Sequence, residues 1–537
     1  MKSAITFLSL LLTLNVGAYN IEETDKLSNP FNSILMADSQ LQNLLAPPHI
    51  LRTKFIDSIL EIAVRAPHQD MFSVDTLKWS LKSYGKNKKI IYLGDALNIG
   101  CKNEWSKFTK AMNQFKVHSG WVMAPGNHDF FYYGNSNGAR SREKKNLLRY
   151  WWAQACSEGP IKKVPRNVKD VALTKDNFIR GYIKELNKQA LITGDFKCSK
   201  PELSPKQRYE KENYVKNCSW ESKAKDSFLQ KVHYVLPTND QVRYSYKSLI
   251  VQEIKLSKPG FRGILLDTTD YENGPTLLIG TLNAKGKKKS IIKSLNAGLR
   301  GSIQKRQIEI IKSWLNKTDH YFLMGHHPFK DLDERSKKLL TELKSKFPSL
   351  TYVSAHTHNG FIENDSIFPE INIGSMTDHT PEFIEWGHSK GNIQVKRIKL
   401  TPELLNCNLD FDLTGKPMGY LSYKNIKGNS RDRMFDHTMN VFHHAYQQVF
   451  ELNSFWEGSK LKDELDTEFT QKAFCPRVGK REKNCQQRKY NLTLKTLKFD
   501  KEVQNKHFSE RVFYGACQAI WAAKAESSLV DMEKYNI

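Results

Sequence analysis

The eight cysteines of this 537-residue chain never stand two residues apart, which excludes the knuckles of zinc ribbons and the redox pair of thioredoxin-type motifs. The histidines at His437, His443 and His444 lack HExxH spacing, so they read as a surface helix face rather than a metalloprotease zinc site. No compact stretch interleaves arginine with aromatic residues and no zinc-finger spacing occurs, so the sequence carries no nucleic-acid module. Past the N-terminus no apolar run is long enough to cross a bilayer, and no internal repeat appears. Low complexity is confined to lysine clusters such as Lys287, Lys288 and Lys289. With 39% hydrophobic and 11% aromatic residues, the composition is that of a globular protein.

The N-terminus carries Lys2, an apolar run from Ala4 to Leu14, then Val16, Gly17 and Ala18. That order is expected of a secretory signal over residues 1–18, cut before Tyr19; a retained signal anchor is the alternative. The expected setting is therefore extracytoplasmic, secreted or periplasmic. There an even set of cysteines reads as disulfides. Proximity in sequence pairs Cys101 with Cys156, Cys198 with Cys218, Cys475 with Cys485, and Cys407 with Cys517. The net charge of +25 would draw polyanions, nucleic acid included, but the lysines are scattered and read as a solvated surface. Asn217, Asn316 and Asn491 sit in glycosylation sequons, which matter only in a eukaryotic cell.

Several short apolar runs end in polar or glycine clusters: Ser33 to Ala37, Lys89 to Leu93, Trp121 to Ala124, Tyr321 to Met324, Leu350 to Ser354 and Glu370 to Ile373. These predict buried strands. Helix-period segments alternate with them, among them Val74 to Tyr84 and Ile308 to Leu315, which gives an α/β class. The pattern loosens over 130–260, read as an insertion or lid within a catalytic region spanning 19–415. Strand signals fade near Thr401, and residues 416–537 read as a helical accessory region, with Met439, Phe442, Tyr446 and Val449 on one helix face.

Five strand ends carry metal-type residues, where ligands of α/β sheets gather. They supply Asp38 and Gln40; Gly94 and Asp95; Asn127, His128 and Asp129; His326 and His327; and His356 and His358. Carboxylate, amide and imidazole donors together suit first-row divalent ions. The set is too large for one tetrahedral site, and a shared carboxylate can hold two ions about 3.5 to 4 Å apart, the separation used for in-line phosphoryl displacement. His356 and His358, one residue apart on an extended segment, would point to the same side. Asp70 lacks a preceding apolar strand and ranks below Asp38. His327 reads as structural.

The order and content of these blocks over residues 30 to 400 resemble the calcineurin-like metallophosphoesterases, which include the purple acid phosphatases. The resemblance implies two mixed β-sheets packed as a sandwich flanked by helices, and hydrolysis of a phosphomonoester or phosphodiester. It also implies two ions, from Mn, Fe or Zn. Asp38, Gln40, Asp95 and His358 would hold one of them, with Asp95 bridging. Asn127, His326 and His356 would complete the other. His128 would protonate the leaving group and Asp129 would orient it. One position departs from the pattern: Gln40 stands where the family has histidine, and its neutral amide shifts that site toward harder ions such as manganese or magnesium. The loop Gly374 to Glu382, with Ser375, Thr377, Asp378 and His379, is expected either at the site rim, contacting substrate, or as a plain loop. Two rival functions follow from the same residues: a nuclease or nucleotidase exploiting the positive charge, and a non-catalytic binding protein on a degenerate phosphatase fold.

Overall fold

The computed structural model describes residues 19–41, 50–52, 59–61, 67–114, 119–131, 134–135, 156, 170–199, 215–237, 248–271, 300–377 and 381–400. The signal segment, the region 416–537, Asp378 and His379, and the expected pairs of Cys475 with Cys485 and Cys407 with Cys517 lie outside the described residues. In chain order the elements are β1 (Asn20–Glu23), β2 (Asn29–Met36), β3 (Ile50–Arg52), β4 (Ile59–Glu61), α1 (Pro67–Tyr84), β5 (Lys89–Tyr92), α2 (Lys102–Gln114) and β6 (Trp121–Met123). There follow α3 (Lys175–Lys188), β7 (Lys197–Ser199), β8 (Val215–Glu221), β9 (Leu229–Pro237), β10 (Leu249–Lys255) and β11 (Phe261–Leu265). The last group is α4 (Lys305–Trp314), β12 (His320–Met324), α5 (Glu334–Lys346), β13 (Leu350–Ser354), β14 (Phe361–Glu363), β15 (Glu370–Asn372), β16 (Glu382–Ser389) and β17 (Asn392–Lys399).

Fifteen of these strands form two mixed sheets, one of six strands in the order β1-β17-β16-β2-β5-β6 and one of nine in the order β14-β15-β13-β12-β11-β10-β9-β8-β7, while β3 and β4 pair with each other antiparallel. In the first, β2, β5 and β6 run parallel. In the second, β11, β12, β13 and β15 do. Such strands are buried on both faces, so they read as unbroken apolar runs. On β12 the alternation is visible: Phe322 and Met324 enter the larger core, while Tyr321 and Leu323 join a second cluster with Ile308 and Ile311 of α4 and Leu340 and Leu343 of α5. Between the sheets, the Phe31 ring lies 5.1 Å from Phe261, 5.8 Å from Phe322 and 4.8 Å from Trp386. Each such buried side chain contributes about 1.5 to 3 kcal/mol by leaving water. Tyr182 of α3 ties the sheets again: its hydroxyl accepts from the Met123 N–H at 2.8 Å and donates to Gln252 Oε1 at 2.7 Å.

Residues 215–255 lie in the span expected to be a lid, yet β8, β9 and β10 extend the nine-stranded sheet and place Leu229, Val232, Ile250 and Ile254 in the core. Among the described residues two disulfides form, Cys101 with Cys156 and Cys198 with Cys218, the latter joining residues directly opposed on β7 and β8. Both are pairs expected from proximity, and they fit an oxidising environment. Among the described residues no helix is long and apolar enough to cross a membrane.

Candidate metal centre

The carboxyl ends of β2, β5, β6, β12 and β13 meet at one place, and backbone hydrogen bonds lock the loops that leave them. Asp38 N–H donates to Gly94 O at 3.1 Å, Gln40 N–H to Asp95 O at 3.0 Å, and Ala355 N–H to His326 O at 2.9 Å. The loops turn sharply. Eight described non-glycine residues have positive φ, and five of them are Asp38 (54°), Gln40 (39°), Asp95 (52°), His356 (69°) and His358 (60°). Left-handed backbone at such residues costs on the order of 1 to 3 kcal/mol each and persists only where the surroundings enforce it. Gly94 and Gly126 make the crowding possible: a Cβ on Gly126 would fall 2.2 Å from Asp95 N, and one on Gly94 2.6 Å from Gly126 N. His356 and His358 therefore enter the centre through two left-handed kinks, not along a strand, because β13 ends at Ser354.

Asp95 sits at the middle, almost wholly buried. Its Oδ2 lies 3.2 Å from His326 Nε2 on one side and 3.1 Å from Gln40 Nε2 on the other. On the first side, His326 Nε2 is also 3.0 Å from Asn127 Oδ1 and 3.1 Å from His356 Nδ1. The other ring nitrogen, His326 Nδ1, faces Leu93 O at 2.8 Å and so carries the ring proton there. Nε2 thus faces a carboxylate oxygen, an amide oxygen and a ring nitrogen, a cluster that either a ring proton or a cation can serve. Ligand bonds of about 2.1 Å at right angles give ligand separations of about 3 Å, so this half fits a first-row divalent ion. Asp95, His326 and His356 place their donor atoms within 4.8 Å of one another.

Burial opposes ionisation of Asp95, but the charges of His326 and His128 hold its carboxyl well below the usual range. Burial alone would lower His326; the Asp95 and Asp38 carboxylates instead raise it to about 9. His356, buried and beside His326, is pushed down to about 3 and stays a neutral ligand.

The second half is built differently. His358 Nε2 lies 3.3 Å from Asp38 Oδ1 and 3.3 Å from Gln40 Nε2, while Asp38 Oδ2 accepts from the His356 N–H at 3.2 Å. The Gln40 amide nitrogen thus takes the place between Asp95 and His358, and its Oε1 is buried without a hydrogen-bond partner. Asp38 Oδ1, which faces His358 Nε2, is likewise buried without a hydrogen-bond partner.

His128 begins a short 3₁₀ turn, and its backbone N–H donates to Asp95 Oδ1 at 2.7 Å. Its ring Nδ1 is held on the Asn98 carbonyl, which leaves Nε2, 4.0 Å from Asp95 Oδ2, on the side where the ring is 15% exposed. Asp129 was expected to orient this ring. Its carboxylate instead accepts from the backbone N–H groups of Gly126 (2.8 Å), Asp95 (3.2 Å) and Leu97 (3.2 Å), bracing the loops, and burial together with Asp95 raises it to about 8. His327 is buried against Thr268, with Nδ1 2.9 Å from its hydroxyl. Asp70 falls inside α1, away from any strand end.

Two supports were invisible to motif reading: the Tyr271 hydroxyl donates to Asn127 O at 2.5 Å, and the Tyr92 hydroxyl accepts from Ser39 N–H at 2.8 Å. Ser375 and Thr377, in the loop expected near the site rim, donate to Asp38 O at 2.9 and 3.0 Å. The loop after β15 therefore buttresses Asp38. The sequence matches no protein-family model and no curated protein.

Proposed function

We propose that this chain is an exported, metal-dependent phosphoesterase. The observation that carries the reading is the convergence of Asp95, Asn127, His326 and His356, four acceptors around one point, with a tethered histidine on the exposed side. A divalent cation there supplies charge neutralisation for a phosphoryl group and acidifies water for attack. The chain's own residues do the rest. Asp95 holds the His128 loop through its Oδ1, and the Asn98 carbonyl fixes the His128 ring so that Nε2 can deliver a proton to a departing oxygen. Asp129 keeps three backbone N–H groups in place and so preserves the loop shape on which Asp95 depends.

The test is hydrolysis of para-nitrophenyl phosphate and its bis ester by the full mature chain with manganese, zinc or iron added. Metal-dependent turnover lost in Asp95→Asn and in His128→Ala is the expected result. Turnover indifferent to metal, or none with either ester, contradicts it. The non-catalytic reading draws on Gln40 alone, whose amide fills part of the centre; bound metal with no turnover would favour it.

A further inference from the structure

Resting on the proposed role of His128 as proton donor, we infer that Glu104 is its positioning residue, acting through the peptide unit between Asn98 and Ile99. Glu104 lies in the first turn of α2 and is wholly buried. Its Oε2 accepts from the Cys101 N–H at 2.9 Å and from the Ile99 N–H at 3.2 Å. The first bond is the return half of a capping box, in which the third helical residue answers the N–H that precedes the helix. The second lies outside any helix cap. The Ile99 N–H and the Asn98 C=O belong to one planar trans peptide and point in opposite directions, so an oxygen fixed on the N–H sets the direction of the C=O. That carbonyl is the one that accepts the His128 Nδ1 proton. A buried carboxyl on the N–H also polarises the unit and strengthens the carbonyl as an acceptor.

The segment that carries this peptide is fastened on its other sides. Cys101 is joined to Cys156, and Asn103 Nδ2 donates to the Cys156 carbonyl at 2.8 Å. Lys102 N–H donates to Val171 O at 2.8 Å and Leu173 N–H to Gly100 O at 2.7 Å, a backbone bridge to the residues that lead into α3. Gly100 lies against the turn that bears His128: its φ is 75°, and a Cβ there would fall 3.0 Å from Phe130 Cα and 3.2 Å from His128 O. Loop and turn thus meet backbone to backbone, and rotation of the Asn98–Ile99 peptide is the motion that would release the ring. Glu104 opposes that rotation.

The full mature chain, carrying isotope-labelled histidine and stripped of metal, gives the first readout: the magnetic resonance signal of the His128 Nδ1 proton, identified by its loss in His128→Ala. The signal is expected in the wild type and in Glu104→Gln, whose amide oxygen can still accept from both N–H groups, and is expected to vanish into exchange broadening in Glu104→Ala. The second readout is hydrolysis with manganese restored. Glu104→Ala should slow an alkyl ester such as glycerol phosphate, whose poor leaving group needs the proton, about tenfold more than para-nitrophenyl phosphate, with bound metal per chain unchanged. A role confined to helix capping slows both esters equally. The paired variant Cys101→Ser with Cys156→Ser keeps Glu104, should move both readouts in the same direction by less, and carries the test if Glu104→Ala does not fold. A signal unchanged in the variants, or equal slowing of the two esters, would overturn the inference while leaving the phosphoesterase reading intact. If the wild type hydrolyses neither ester, that reading fails, and the resonance alone decides whether Glu104 aims the ring.

Discussion

The two halves of the centre share one carboxylate and differ in everything that follows from it. Beside His326, Asp95, Asn127 and His356 lie 3.0 to 3.2 Å from its Nε2; beside Gln40, an amide N–H₂ group lies between Asp95 and His358 while Asp38 Oδ1 and Gln40 Oε1 have no hydrogen-bond donor. The lesson concerns substitution at a ligand position. Replacing imidazole by amide exchanges a lone pair for a group that can present either end, and the end it presents is set by its neighbours.

The largest effect should come from removing the ring at the heart of the cation half. His326→Ala is expected to abolish metal retention and lower turnover by about a thousandfold or more; retention of a full equivalent would break the comparison by moving the ion elsewhere. His128→Ala should cut kcat by about a hundredfold to ten-thousandfold while the bound metal is unchanged, because its part is proton delivery. Equal loss of metal and rate would make it a ligand.

A matched pair of tyrosines sharpens the contrast. Tyr271→Phe removes the hydroxyl that holds the Asn127 carbonyl, and Tyr92→Phe removes the one that holds Ser39 beside Gln40. Ion affinity measured by calorimetry should fall about tenfold or more in the first, the scale of lost supporting contacts to metal ligands, and stay within about threefold in the second. Equal losses would erase the distinction between the halves.

The smallest expected effect lies below the cation half, where Glu370 accepts from Phe329 N–H at 3.3 Å and from the Ser354 hydroxyl. Burial raises its pKa from 4.5 to about 7. The unfolded chain releases this proton near 4.5 while the folded chain keeps it to about 7, so stability falls as pH rises through that interval, by at most about 3 kcal/mol. Glu370→Gln cannot ionise and should melt a few degrees higher than wild type at pH 8 and nearly equally below pH 4.5. The same difference at both pH values would place the effect in packing.

Much of the centre was legible because parallel strands buried on both faces leave apolar runs that stop abruptly, as at Met36, Tyr92 and Ser354, with polar residues immediately after. Strands β8 to β10 were not, because lysine, asparagine, glutamine and glutamate interrupt their apolar alternation and mask the period. Nor could Asn98 and Leu93 be read as partners of His128 and His326: both act through backbone carbonyls, which every residue possesses. The backbone partners of Asp129 were hidden for a similar reason, since its carboxyl serves N–H groups of residues up to 34 positions away. Gln40 was visible as an exception, but the direction in which its amide points depends on Asp95 and His358 together.

The most direct measurement is a metal titration of the stripped chain, following hydrolysis of para-nitrophenyl phosphate and its bis ester as manganese or zinc is added. Turnover should rise from zero in proportion to bound metal and level off when the centre is filled. Turnover that survives chelation, or that stays absent at every loading, would contradict a cation-dependent phosphoesterase built around Asp95 and His326.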